Sequence, residues 1–388
     1  MSVNSVIKDH PRARFQSDVQ GGEEAQGTGS LWRPIPADTQ HERQMSLLLL
    51  HDRIPWFGAH SGYEQLASYL VKESSWPVVT ARPGEWARFA GSAYGRMQGR
   101  YGRGATDLCE LEFRLRRRIQ KPDASHILYL EHHLELLKPW TKAPKNLIGT
   151  LHHPQSVWKP EHSRILSRLA SALVLFRRDL PFFESFIGKG RVKFIPHGAD
   201  TDFFRPDFSQ TQLPPRILYS GVYLRNEPML VRVLNRLSEK IPDLRFDLLV
   251  PRHHRSSPDL APLRGHPAVS WHADLNDEAL RRLYQRSYLM LLPMNDSGAN
   301  TAVIESLSSG LPIVTTEVGG IRDYGGGTVF PMVANNDDDA MVELAAQYCA
   351  KTAWRQEIAR NCRHYAEDTL AWPLIAAKHQ ELYHELTA

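Results

Sequence analysis

The chain has 388 residues, of which 42% are hydrophobic and 23% charged, with a formal net charge of +4. Such a composition is that of a globular protein rather than a disordered or fibrous one, and the length allows two domains with separate cores. The mild positive balance suits a phosphate-bearing ligand but is too weak to argue for nucleic acid.

Three scattered cysteines, Cys109, Cys349 and Cys362, give neither a disulfide framework nor paired metal-ligand spacing. No run approaches the roughly eighteen apolar residues that a membrane span needs, and no hydrophobic signal core opens the chain. The expectation is a soluble, cytoplasmic protein.

In chain order, residues 1–44 are rich in Gly, Gln, Glu, Ser and Pro and read as a mobile tail. The run at 46–50, Ser46 followed by four leucines, reads as a strand buried on both faces of a parallel sheet. A loop at 51–60 follows, then a helical pattern with Leu66, Ala67 and Leu70 on one side. Further strands are predicted at 77–80, 126–130, 147–151, 173–176 and 192–196, with a helix over 160–171. The second half repeats the rhythm, with strands at 216–220, 245–250, 269–271, 289–292 and 312–316. Helical patterns at 228–240, 277–286, 301–309 and 338–350 separate them.

This alternation predicts an α/β fold of two Rossmann-like domains, 45–198 and 199–370, with a final helix in 371–388. Segment 82–118 carries nine arginines against Glu85, Asp107, Glu110 and Glu112, with Trp86, Phe89, Tyr94 and Tyr101 among them. It reads first as a flexible loop plus the exposed face of a helix near 107–120. An acceptor site or an anionic membrane surface is the functional alternative, with nucleic acid set aside.

The chemistry concentrates at Ser297-Gly298-Ala299-Asn300-Thr301, which joins a strand to a helix carrying Val303, Ile304 and Leu307 on its apolar face. Asn300 is a candidate N-cap, and the unpaired N–H groups of a helix start form a ready anion site. Gly298 and Ala299 permit close approach to the backbone. Glu305 falls one turn further on, on the side of Thr301 and Ser308, where a carboxylate can accept paired hydroxyls. An ordinary strand–helix joint with a solvated Glu explains the same residues.

Four further stretches carry a resemblance. They are Ile195-Pro196-His197-Gly198-Ala199-Asp200 with Phe203-Phe204-Arg205-Pro206, the run Glu305–Val314, the loop Glu317–Tyr324, and the C-terminal pattern from Trp372 to Tyr383. Over about 190–385 the sequence resembles the large retaining GT-B glycosyltransferase family, group 1 or family 4-like, that includes sucrose synthase and bacterial mannosyl- and glucosyltransferases.

The resemblance implies a GT-B fold with the acceptor side in the N-terminal domain, the nucleotide-sugar side in the C-terminal domain, and the last helix crossing back to the first. It implies transfer of a hexose from a nucleoside-diphosphate sugar to a glycan, lipid or small-molecule acceptor, with retention and without a metal or cofactor. Glu305 matches the second Glu of the family's Glu-x7-Glu motif, which holds the ribose, and Gly298 through Thr301 match the stretch on the sugar and diphosphate.

Ser297 stands where the first Glu belongs, with Asp296 one residue earlier. In Ser220-Gly221-Val222-Tyr223-Leu224-Arg225-Asn226-Glu227, the family's Arg and Lys positions hold Val222 and Glu227, leaving Arg225 as the substitute cation beside Gly221. His60-Ser61-Gly62-Tyr63-Glu64 resembles the family's glycine-rich loop, with Ser61 and Glu64 also readable as a capping box. His152 matches an active-site His facing the donor sugar, and the loop at 272–274, beginning with His272, is the candidate base region.

The histidine pairs 132–133, 152–153 and 253–254 lack zinc spacing, and on strands their side chains would point to opposite faces. Two rival readings stay open: a GT-B-shaped protein that binds a sugar nucleotide or glycan without turnover, and a sugar-nucleotide epimerase or hydrolase.

Overall fold

The computed structural model describes residues 45–51, 54, 58–73, 78–81, 87–97, 104–138, 146–207 and 214–387, so the tail expected at 1–44 lies outside the described residues. The first half contains β1 (Leu47–Leu50), α1 (Gln65–Glu73), β2 (Val78–Ala81), α2 (Ala87–Met97), α3 (Gly104–Gln120) and β3 (Ala124–Ile127). After it come β4 (Leu147–Leu151), α4 (Pro160–Ile165), β5 (Ser171–Val174), α5 (Leu180–Ile187) and β6 (Val192–Phe194).

The second half contains β7 (Arg216–Ser220), α6 (Glu227–Lys240), β8 (Arg245–Leu249), β9 (Val269–His272), α7 (Asp277–Gln285), β10 (Leu289–Leu292) and α8 (Thr301–Ser308). It ends with β11 (Ile313–Thr316), β12 (Met332–Val333), α9 (Asp338–Ala350), α10 (Thr352–Tyr365) and α11 (Trp372–Thr387).

Each half builds one parallel sheet, in the orders β2-β1-β3-β4-β5-β6 and β12-β11-β10-β7-β8-β9. The four leucines of β1 show why a continuous apolar run becomes a central parallel strand. Leu47 and Leu49 enter one core with Leu66 and Leu70 of α1, and Leu48 and Leu50 enter the opposite core with Phe113 of α3 and Phe183 of α5. Helices on both faces leave no position for a polar residue on that strand.

Helix α11 belongs to the first domain by packing. Trp372, Ile375, Ala376, Leu382 and Tyr383 lie in the same core as Leu47 and Leu66. The chain crosses between domains twice, at 195–200 and at 366–372, and the crossings are tied together: Ala199 N–H donates to Leu370 O at 2.7 Å and Trp372 N–H donates to Ala199 O at 3.1 Å.

Three predicted elements shift. The strand expected at 126–130 ends at Ile127 and turns into a 3-10 segment at Leu130–His132, and the strand expected at 173–176 is β5, Ser171–Val174. The helix expected over 160–171 stops at Ile165, with a 3-10 turn at Leu166–Arg168. Leu128, Leu130, Leu175 and Phe176 are fully buried in the loops that leave the strand ends. An apolar run reports burial, and here burial continues past the ladder.

The second sheet grows outward from β7 to β8 and β9, then returns to the other side of β7 with β10. The carboxyl ends of β7 and β10 therefore open a crevice at a topological switch point, where open α/β sheets take their ligands.

Candidate functional site

The loops that leave β7 and β10 are held together as one unit. Asn226 N–H donates to Pro293 O and Asn295 N–H to Leu224 O, both at 2.9 Å, and Arg225 and Met294 form an antiparallel bridge. Gly221 has a φ of +82°, and a Cβ there would lie 2.9 Å from Arg225 Nη2. Glycine thus allows Arg225 to fold back over its own turn.

The Arg225 guanidinium donates from Nε and Nη2 to Ser220 O at 3.1 and 2.8 Å, and from Nη1 to Tyr223 O at 2.9 Å. Its Nη2 is 3.5 Å from Asn300 Oδ1. All of these partners are neutral, and among the described residues no carboxylate pairs with it. Burial pushes its pKa down, yet a guanidinium stays charged.

Asn300 caps α8, its side chain accepting from Ala302 N–H at 3.1 Å. Thr301 opens the helix and lines a narrow cavity between the domains, with Ile304 and Glu305 below it. A half-buried cation and the positive end of a helix thus meet at one place, an arrangement suited to an anion.

Glu305 is buried, and both of its oxygens are engaged. Oε1 accepts from Ser61 Oγ at 2.6 Å and Oε2 from Tyr284 Oη at 2.7 Å. Burial is the main cause that pushes its carboxyl up to about 7, against the opposing pull of these two hydroxyls. The solvated Glu of an ordinary strand–helix joint is therefore not what the structure contains.

Ser61 does not cap α1 either: the helix begins at Gln65, the Ser61 hydroxyl goes across the cleft, and Glu64 accepts from Tyr129 Oη and Ile54 N–H. Gly62, with a φ of +91°, lines the same cavity beside His60, His197, Gly198 and Trp372. His60 Nδ1 lies 2.6 Å from Asp200 Oδ2 and its ring stacks on Phe203 at 3.7 Å.

His152 follows β4. Its ring stacks on Tyr129 at 4.6 Å, stands edge-on to Tyr63 at 5.0 Å, and uses Nε2 to donate to Leu128 O at 2.7 Å. Burial drops its pKa to about 4, so the ring is neutral at neutral pH. Buried Glu131 fixes this strand end by accepting the backbone N–H groups of both His152 and His153. His153 Nδ1 then meets Tyr223 Oη of the second domain at 2.8 Å.

Several expected site residues have other surroundings. A Cβ on Gly298 would lie 2.5 Å from His152 O and 3.1 Å from Phe176, and the residue is buried, so the close approach this glycine permits is taken by the opposite domain. Ser297 is buried and donates to Gly298 O at 2.8 Å. Asp296 is bound by Arg178 at 2.9 Å and Ser156 at 2.6 Å, which takes its carboxylate away from the role of the missing Glu. Glu227 is held by His254 and Ser257.

His272 does not reach the cavity: its Nε2 meets Asp247 Oδ1 at 2.6 Å in a charged cluster with Arg216 and Arg286. No histidine pair lies within a strand, since 132–133 and 253–254 belong to 3-10 turns or their ends and 152–153 follow β4. Among the described residues no group of three or more His, Cys, Asp or Glu has the geometry of a metal site.

Sequence reasoning missed Tyr284, Ser61 as the partner of Glu305, and Glu131. Tyr284 sits among apolar positions of α7 and reads as core. The other two join residues 244 and 21 positions apart through a fold no local pattern encodes. Asp200 and His197 were in view as part of an interdomain signature, and their place on the cavity wall gives that signature its physical content.

No curated protein matches the sequence significantly. Among solved structures, sucrose-phosphate synthase from Thermosynechococcus elongatus superposes with a TM-score of 0.70 at 16% identity, covering 88% of this chain and 99% of that one. A glycosyltransferase from Rickettsia africae ESF-5 gives 0.63 at 15% identity, covering 89% and 99%. The Anabaena protein Alr3699/HepE, in complex with UDP and glucose, gives 0.61 at 13% identity, covering 88% and 100%. At these identities the likeness establishes the fold, two Rossmann-like domains facing across a cleft. The family model described as Glycosyl transferases group 1 matches residues 214–350, the stretch that carries Gly221, Arg225, Asn300 and Glu305. The chain thus has the fold of two Rossmann-like domains facing across a cleft, and its segment 214–350 matches the group 1 glycosyltransferase model.

Proposed function

We propose that this protein transfers a hexose from a nucleoside-diphosphate sugar to an acceptor hydroxyl with retention at the anomeric carbon. The observation that carries the reading is the convergence of Arg225, free of any described carboxylate, with the Asn300-capped start of α8 at the β7/β10 switch point. A diphosphate leaving group develops charge as the glycosidic bond breaks, and a fixed cation with a helix terminus stabilises that charge without reorganisation.

Glu305 accepts the paired hydroxyls of the ribose, taking them in place of Ser61 and Tyr284. The Anabaena relative's complex with UDP and glucose supports a nucleotide and a sugar as the ligand class. Gly62 and neutral His152 form the opposite wall, where a glycan, lipid or small-molecule acceptor enters from the N-terminal side. Closure of the two walls excludes water and favours transfer over hydrolysis.

Arg225 and the α8 terminus supply the positive potential, so the reaction proceeds without a metal and EDTA leaves turnover unchanged. The test is incubation with a panel of radiolabelled sugar nucleotides and acceptors. Label moves to an acceptor with release of nucleoside diphosphate. Release with water alone would point to a hydrolase, and binding without turnover across the panel to a non-catalytic binding protein.

A further inference from the structure

The α2–α3 hairpin presents a surface that the donor site does not use. On α2, Phe89 is 88% exposed and Met97 83% exposed, and Ala93 between them is exposed as well. Residues 89, 93 and 97 are spaced by four, so they form one stripe along the helix. On α3, Leu115 is 50% and Ile119 77% exposed, again four apart. These are four of the seven large apolar side chains the described structure leaves exposed, and they fall on adjacent helices. Isolated apolar residues on a surface need no explanation, but two stripes on one hairpin do.

The charge around the stripes is more one-sided than the sequence suggests. Asp107 and Glu110 are only 1% exposed, and Glu112 is tied to Arg116 at 2.8 Å. Arg114 and Arg117 are turned inward to Glu135 O and to Ser125 and Asn146. Arg96, at the end of α2, and Arg118, between Leu115 and Ile119, are exposed beside the apolar side chains. Among the described residues the outward face of the two helices is therefore apolar and cationic, with Asp107 and Glu110 buried and Glu112 paired.

We infer that the α2–α3 hairpin docks the protein on an anionic lipid surface. Phe89, Met97, Leu115 and Ile119 enter the interfacial region while Arg96 and Arg118 meet lipid phosphates, the combination that gives reversible attachment to a bilayer. Among the described residues no helix is long and apolar enough to cross a membrane. The inference does not depend on the donor-site reading.

The test uses the full chain and sedimentation with vesicles of phosphatidylcholine alone or with about a third phosphatidylglycerol. The wild type pellets with the anionic vesicles and much less with the neutral ones, and added salt releases it. Both Phe89→Ser/Met97→Ser and Arg96→Glu/Arg118→Glu lose binding by about tenfold or more. Their thermal midpoints stay unchanged, because the altered side chains are exposed. Wild-type binding that is absent, or equal in both variants, overturns the inference. So does a concentration-dependent dimer in light scattering that Phe89→Ser/Met97→Ser abolishes, since a second copy would then be the occupant.

Discussion

Glu305 is the residue whose environment makes the sharpest claim. Its folded pKa of about 7 lies above the ordinary 4.5, so the group's contribution favours the fold most below the lower value. That contribution is lost as pH rises from 4.5 through 7, and by the size of the shift it approaches about 3 kcal/mol. Glu305→Gln removes the titration. Its thermal midpoint relative to wild type should therefore climb between pH 5 and 8, and a difference that stays flat with pH would rule out a buried, proton-holding carboxyl.

In the proposed donor site the same titration acts on ligand affinity in the opposite sense, because the ionised form is the better acceptor of two hydroxyls. Wild-type affinity for a nucleoside diphosphate should rise through pH 7 relative to that of the Gln variant, in which phosphate titration is common to both. Calorimetric titration at pH 6 and pH 8 measures it.

Histidines shift the other way. Burial holds His152, His197 and His379 at about 4, about 3 and about 4. Each is neutral in the fold and stabilising above its unfolded pKa of about 6.5, and that stability is lost as pH falls through the window below it. Cooperative unfolding on acidification below pH 6 should weaken in His379→Gln, which cannot charge; an unaltered acid transition would show that His379 takes no part in it.

At the scale of elements, α8 and α11 carry the account. The start of α8 was legible as a small-residue turn followed by an apolar helical face, and Asn300 caps it in the structure. What surrounds that start was not legible. Arg225 reaches Asn300 because Gly221 adopts a left-handed φ and the two loops interlock, a pairing across 75 positions that leaves no local pattern.

Helix α11 shows the same division. Its apolar residues predict a packed helix, but only the fold brings Trp372 onto Gly198, where an added Cβ would lie 2.2 Å from the ring. Gly198→Ala must displace Trp372 or the 195–200 crossing. The expected loss is about 2 kcal/mol of stability by denaturant titration, of the size usual for overpacking. An unchanged midpoint would mean that α11 is not fixed against the crossing.

For the whole molecule, the two domains meet through polar clasps placed around the cleft. Arg178 binds Asp296 across it, Arg177 N–H donates to Asp323 at 2.7 Å, Ala59 N–H donates to Asp277 at 2.8 Å, and Tyr324 Oη donates to Leu175 O at 2.8 Å. The first three are solvent-exposed and only the Tyr324 bond is buried, which suits walls that open and close rather than a permanent interface. Asp296→Ala should enlarge the radius of gyration in small-angle scattering without ligand, and an unchanged radius would remove the clasp's role in closure.

The two-domain plan was legible because strands buried on both faces write continuous apolar runs, as in β1. The order of strands was not, and it is the order that creates the β7/β10 crevice. Asp296 looked available as a replacement carboxylate in the sequence, and only the opposite domain's Arg178 removes it.

The central claim is that this crevice holds a diphosphate through Arg225. Isothermal titration of uridine and guanosine diphosphates against the wild type and Arg225→Ala tests it most directly. At least one nucleotide should bind the wild type, and the variant should lose about 10- to 100-fold in affinity, the weight of one charge-assisted contact in a partly buried site. Equal affinity in both proteins would contradict the account.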